Sequence, residues 1–358
     1  NFYNFEVQIR IYDEVPVQFQ RRDVYFSAKI ASGKRRLVRY ILRPIKRGEY
    51  GFGALNIFAA SPIGMVQRRF RYAQDRTVAV YPSYLQMRKY ELMAMSNRLH
   101  EIGVKKLRKI GESLEFEQIR EYVQGDDFRR MNWKATARSG KHMVNQYMEE
   151  RSQPVYCVID KGRMMKMPFE GMSLLDYAIN ASLVLSNIAI YKQDKAGLIT
   201  FSERMGILLK ASRRPTQMHA ITELLYNQKT RYLDSNFEIL YANIHRKVSQ
   251  RSLILLFTNF DSLSSMRRQL PYLRRLRKRH LLVVVFFENT ELRELTEQPA
   301  HGTEAIYLKT VAEKFAFEKQ QIVRELELHG IQSILSAPED LTVNALNKYL
   351  EIKARRLL

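Results

Sequence analysis

The sequence predicts a multidomain α and β protein: an N-terminal antiparallel β-sandwich, then an α/β domain built on a mostly parallel, doubly wound sheet. Three observations predict it. Residues 5–82 hold short alternating segments separated by Gly, Pro and Ser turns, the pattern of a small antiparallel sandwich. From Pro154 onward, unbroken apolar runs alternate with amphipathic helical stretches, as expected where parallel strands are covered on both faces. The length, 358 residues, exceeds one small domain and suits two or three.

In the first region the predicted strands are FEVQIRIY, VYFSAKI, RLVRYILRPI, RGEYGFG, ALNIFAA, SPIGMVQRRFRY and TVAVYP. Residues 84–118 form a helical and basic connector. Its helix is expected from about Ser83 to Leu99, followed by a polar stretch around KKLRK. Residues 119–358 make the second domain. Its predicted strands are 155–160, 196–201, 252–258 and 281–287. Helices are expected near 174–191, 215–227, 237–247, 263–279, 310–329 and 339–355.

Composition narrows the function. The longest apolar run, LLVVVFF, has strand length and is far short of the roughly 20 residues of a membrane span. The chain opens on Asn1 with no visible signal peptide, so a fragment is expected, with any membrane anchor lying before Asn1. Cys157 is the single cysteine and sits in an apolar run, as a small buried hydrophobe would. The histidines form no zinc pattern. A net charge of +22 favours anionic partners such as lipid headgroups, nucleic acid or acidic proteins. Excess Lys and Arg also marks cytoplasmic segments near membrane spans. The run 266–280 concentrates this charge on a predicted outer helix; no nucleic-acid-binding motif accompanies it, so nucleic acid ranks last among the partners.

In open α/β sheets, ligands bind beyond the carboxyl ends of the strands. That places Asp160, Arg163, Thr258, Asn259 and Asp261 on a candidate binding face. No dinucleotide fingerprint, Walker motif or nucleophile elbow is present, and no nucleophile–base pair stands out, so no catalytic residue and no enzymatic turnover are expected. An Asp on the first strand tip resembles the von Willebrand factor A-type fold, whose D-x-S-x-S motif holds Mg²⁺ through oxygen ligands. Here the motif reads Asp160-Lys161-Gly162-Arg163-Met164, with both serines replaced. No metal is expected; Asp160 is the only candidate ligand.

The stretch IREYVQGDDFRRMNWKATARSGKHMVNQYMEERSQPVYCVID, residues 119–160, resembles the signature of domain-of-unknown-function family 58. Arg120, Glu121, Gly125, Asp126, Asp127, Arg130, Asn132, Trp133, Lys134 and Arg138 carry the match. The resemblance implies a von Willebrand A-like domain with a degenerate adhesion site and N-terminal membrane helices. It also implies a MoxR-type AAA+ ATPase as partner, and a place at the cytoplasmic face of the inner membrane. The expected role is a non-enzymatic adaptor acting in assembly or maturation of client proteins. The alternatives are a Mg²⁺-dependent adhesion module and an electrostatic binder of anionic lipid or nucleic acid. Within the signature, Asp126 is expected to cap a helix beginning at Asp127 and stopping at Gly140, with Trp133 as a core anchor. The segment is read as a latch between the domains or as a docking surface.

Overall fold

A computed structural model describes residues 1–21, 24–73, 76–82, 116–123, 128, 131–147, 152–297, 302–355 and 357. The predicted helix at 83–99 and the basic stretch after it lie outside the described residues. The chain divides into two compact units, Asn1–Tyr84 with His219–Lys229, and Leu85–Met218 with Thr230–Leu358. The second unit is thus interrupted in sequence, which the predicted boundaries do not include.

The first unit is antiparallel β. Strands β1 (Val7–Asp13), β2 (Tyr25–Ile30), β3 (Gly48–Phe52), β4 (Leu55–Ala60), β5 (Gln67–Tyr72) and β6 (Arg76–Val80) form two sheets. One has the order β2-β1-β4-β5; the other pairs β3 with β6. Alternation is the cause: along β1 every second residue is the more buried one, as period-2 geometry requires. The predicted strand at 36–45 is not one. Leu37, Ile41 and Ile45 are exposed, and among the described residues no strand pairs with the segment. Pro44 has no N–H to offer a ladder, and an apolar alternation without a partner strand buries nothing.

The second unit begins with β7 (Phe116–Glu121), helix α1 (Trp133–Ser139) and β8 (Met143–Tyr147), the two strands pairing antiparallel. Next come β9 (Pro154–Asp160), the short hairpin β10 (Pro168–Phe169) and β11 (Met172–Ser173), α2 (Leu174–Tyr191), β12 (Lys195–Phe201), β13 (Met205–Ser212) and α3 (Gln217–Leu225), whose residues from His219 onward belong to the first unit. After these lie α4 (Phe237–Lys247), β14 (Leu253–Phe257), α5 (Leu263–Arg279), β15 (Leu281–Phe287), α6 (Thr290–Glu297), α7 (Thr303–Leu328), β16 (Gln332–Ser336) and α8 (Leu341–Ala354).

The main sheet has the order β13-β12-β9-β14-β15-β16. It is parallel except for β13, which returns antiparallel along the edge beside β12. β9, β14 and β15 are apolar runs buried on both faces, so their side chains fill two cores. One face packs Val158, Leu256 and Val284 with Leu240 of α4, Leu273 of α5 and Leu326 of α7. On the other side α2 packs against β9, β12 and α8. Cys157 lies there, buried against Ser182 and Ser186 of α2, and burial pushes its thiol up to about 11. Helix α2 starts where it does because Ser173 and Asp176 form a reciprocal capping box. It is apolar and long enough to cross a membrane, with mean hydropathy 1.3, but two thirds of it is buried inside the domain. That is how a core helix covering a sheet must look.

Candidate functional site

Asp160 ends β9 and is buried, 3% exposed. The loop before α4 folds over it. Arg231 N donates to Lys161 O at 2.7 Å, Arg163 N to Leu233 O at 3.1 Å, and Asn236 N to Ser202 O at 2.9 Å. This stitching brings the Ser235 hydroxyl onto Asp160 Oδ1, where Gly162 N also donates at 2.8 Å. Thr258 Oγ1, from the tip of β14, donates to Asp160 Oδ2 at 2.6 Å. Burial pushes the carboxyl up from its ordinary range, against the three donors that pull it down. Lys161 beside it is pushed down, first by burial and then by the Arg231 guanidinium, which pairs with Glu203.

The missing serine of the D-x-S pattern has a steric explanation. A Cβ on Gly162 would stand 2.1 Å from Ser235 Oγ and 3.2 Å from Asp160 Oδ1. The space a side chain at 162 would need is filled by the hydroxyl of a residue seventy-odd positions away in the chain. Ser235 is therefore a site residue that the sequence reading missed. Its only local signal is its position just before Asn236, which caps α4 through a bond from Ile239 N at 3.1 Å.

The predicted face is divided: Asp160 and Thr258 are closed off, while Asn259 and Asp261 line the cavity described below. Asp160, Thr258 and Asn259 are buried at 3%, 0% and 8% exposure. Arg163, paired with Asp234 at 2.7 Å, and Asp261 are the exposed members. Asn259 turns to another partner: its Oδ1 accepts from Lys319 Nζ of α7 at 2.7 Å and from Phe260 N at 3.1 Å. Lys319 Nζ also donates to Phe260 O at 2.6 Å. Burial holds this ammonium down at about 8, with Asp261 opposing the shift.

As a metal centre the site fits poorly. One carboxylate already accepts three hydrogen bonds, and the two hydroxyls near it are the donors of two of them. The neighbours Lys161 and Arg231 add positive charge. Mg²⁺ demands near-octahedral oxygen ligation. Among the described residues no group of three or more His, Cys, Asp or Glu could hold a metal.

Beside this latch, still at the carboxyl end of the sheet, lies a cavity of about 720 Å³. Met164, Phe169, Phe260, Leu292 and Phe317 give it an apolar wall, and Lys319 reaches it from α7. Asp261, Glu288, Glu291 and Glu313 stand around it.

The signature segment sits in its own small element. The helix starts at Trp133, not Asp127: Asn132 is the cap, its Oδ1 accepting from Ala135 N at 3.0 Å while its Nδ2 donates to Asn145 Oδ1 at 2.8 Å. Gly140 ends it in the left-handed conformation, φ 70°, as predicted. Met131 bridges Val144, and both are buried. Trp133 is 68% exposed and anchors no core; Asn132 fixes the helix so that position 133 opens its first turn on the outside. Lys134 and Arg138 are exposed, Arg120 Nη1 donates to Glu121 O at 3.1 Å, and Glu121 pairs with Lys141 at 2.6 Å. Gly125, Asp126, Asp127 and Arg130 lie outside the described residues.

A family model described as "Protein of unknown function DUF58" matches residues 118–326. The chain is 27% identical over 124 residues to the uncharacterized protein YeaD of Bacillus subtilis strain 168, a match covering 34% of this chain and 30% of that protein. The match thus spans less than a third of that relative's length. Among solved structures, proximal thread matrix protein 1 of the mussel byssus has a TM-score of 0.33 at 7% identity, covering 55% of this chain and 46% of that one. A von Willebrand factor type A protein of Catenulispora acidiphila has a TM-score of 0.32 at 11% identity, covering 59% and 43%.

Proposed function

The chain belongs to the DUF58 family of proteins of unknown function, and on that premise we propose that it is a non-enzymatic adaptor. Its cavity at the carboxyl end of the sheet takes an apolar segment of a protein partner. The observation that supports this is the cavity wall: Phe315 and Phe317 of α7 are large, apolar and 44% and 58% exposed beside it, with four carboxylates close by. Apolar pockets with a few convergent polar groups are where proteins take ligands. The family resemblance supplies the expected partner, a MoxR-type AAA+ ATPase, with assembly or maturation of client proteins as the shared task. We read the α/β unit as von Willebrand A-like, on the strength of Asp160 at the tip of its central strand and the two hydroxyls gathered there. The cytoplasmic face of the inner membrane is the proposed location, and a net charge of +22 suits an anionic leaflet.

The test is co-purification from native membranes with the intact protein as bait, beside a Phe315→Asp/Phe317→Asp variant. Both side chains are partly exposed, so the variant should fold. Recovery of the ATPase with the native bait and its loss with the variant are expected. Equal recovery with both would move the contact elsewhere, and no ATPase with either would remove that partner. For the Mg²⁺-adhesion alternative, calorimetry at millimolar Mg²⁺ should show no binding heat, because the Asp160 donor set is saturated.

A further inference from the structure

We propose that one end of the four-stranded sheet in the first unit is a lipid-contact surface, entering the headgroup region of an anionic bilayer. Strand register defines that end. Val7 pairs with Ile30, Gln8 with Ala60, and Ala60 with Gln67. The residues before β1, the turn after β2 and the hairpin between β4 and β5 therefore lie together. Hydrogen bonds tie the first two: Gly33 N donates to Asn1 O at 3.1 Å, and Asn1 Nδ2 to Ile30 O at 2.8 Å.

The hairpin tip is a fixed turn with apolar side chains held outward. Ser61 N donates to Val66 O at 3.1 Å, and Gly64 N to Ser61 O at 2.9 Å. Pro62 presets the backbone at the turn's second position, and Gly64 takes the left-handed conformation, φ 77°. Such turns are ordinarily made of Gly, Pro, Asn, Asp and Ser. Here Ile63, Met65 and Val66 are 82%, 84% and 70% exposed. They add little to the core of the unit. Tyr3 and Phe5, also exposed, stack at 5.3 Å at the same end.

Charge at this end is independent of the apolar tip and has one sign. Lys29, Lys34, Arg35, Arg36 and Arg68 are all exposed. Over residues 1–8, 28–36 and 59–68 the only carboxylate is Glu6. Aliphatic residues at a protruding tip, aromatics beside them and cations around them are the composition of an interfacial membrane contact. The aliphatics enter the acyl boundary, the Tyr ring suits the headgroup level, and the long cationic side chains reach phosphates. Nucleic acid would use the cations and leave Ile63, Met65 and Val66 in water. Such a contact rests on the membrane location proposed above, and not on the cavity or its partner.

The test uses the full chain. Cys157 is buried, so a thiol placed by Ile63→Cys can carry an environment-sensitive fluorophore alone. Val17→Cys is the control, because Val17 is 88% exposed in the connection from β1 to β2, at the other end of the sheet. Both are titrated with phosphatidylglycerol–phosphatidylcholine vesicles and with phosphatidylcholine vesicles. The label at 63 should brighten and shift to the blue with the anionic vesicles only, and the label at 17 should not respond. In sedimentation, Met65→Ser/Val66→Ser and Arg35→Gln/Arg36→Gln should each weaken binding to the anionic vesicles about tenfold or more. All four side chains are exposed, so the variants should fold. A net charge of +22 draws the chain to anionic vesicles from any side. Binding unchanged in both variants, or a label at 63 that stays in water while the chain sediments, therefore overturns this surface and leaves the membrane location standing. No sedimentation with anionic vesicles also overturns it, and fractionation of native membranes then reads the location separately. A protein that co-purifies with the native chain and is lost with Met65→Ser/Val66→Ser, without vesicle binding, would make this end a protein interface instead.

Discussion

The two ends of the six-stranded sheet are built from the same parallel strands and answer burial in opposite ways. At the carboxyl end, the buried Asp160 and the half-buried Lys319 are satisfied, one by three donors and the other by two acceptors. At the amino end, His280 is as deeply buried, and its ring nitrogens have no hydrogen-bond partner among the described residues. The first end also has an acidic, apolar cavity and the second a cationic one. The contrast separates two meanings of a buried polar residue. A saturated one holds loops in place, and an unsaturated one costs stability.

The sharpest way to break the comparison is Asp160→Ala. If the carboxylate clamps three segments, its loss should lower the unfolding free energy by about 3 kcal/mol in urea titrations, and Thr258→Val by roughly half that. A change under about 0.5 kcal/mol for Asp160→Ala would show that burial of the charge cancels its bonds.

Lys319 gives a pH signature of similar size. Its ammonium is held at about 8, below the ordinary 10.5, so the unfolded chain keeps its proton where the folded one has lost it. Stability should therefore rise as pH increases from 8 to 10.5, by up to about 3 kcal/mol, and the difference between native protein and Lys319→Met should carry that slope. A flat difference would show that the ammonium is not penalised by burial.

Gly162→Ser restores the D-x-S pattern at the cost of a collision with Ser235, and should destabilise by about 1–2 kcal/mol. Adding Ser235→Gly should recover most of the loss; no recovery would mean that the collision is not with Ser235.

A pH slope of about the same size as that of Lys319, in a lower window, is expected at the other end. His280, held at about 4 below its ordinary 6.5, first by burial and then by Arg279 and His245, favours the folded state fully above pH 6.5. That contribution should fade as pH falls from 6.5 to 4, and His280→Phe should remove the slope.

Much of the second unit was legible because its signals are local. The strand Leu281–Phe287 and the helices Phe237–Lys247 and Leu263–Arg279 have the boundaries that apolar runs and helical periodicity predict. The edge strand β13 was not legible, since Met205–Ser212 is only half-buried and lacks a clean alternation. Helix α1 was misplaced at its start because acids at 126 and 127 look like caps as good as Asn132. Trp133 looked like core by residue type alone.

By itself, then, the sequence determined the antiparallel beginning, the apolar strands of the mixed sheet, and membership in a family through the dense signature around Asn132, Trp133 and Arg138. It also placed Asp160 on a strand tip. Only the tertiary structure decided that Asp160 would be closed over by Ser235, that Asn259 would turn to Lys319, and that the ring nitrogens of His280 would have no hydrogen-bond partner among the described residues. The reason is range: periodicity and capping act over a few residues, whereas these sites join side chains that the chain order keeps far apart, and only packing of the sheet and its helices brings them within reach.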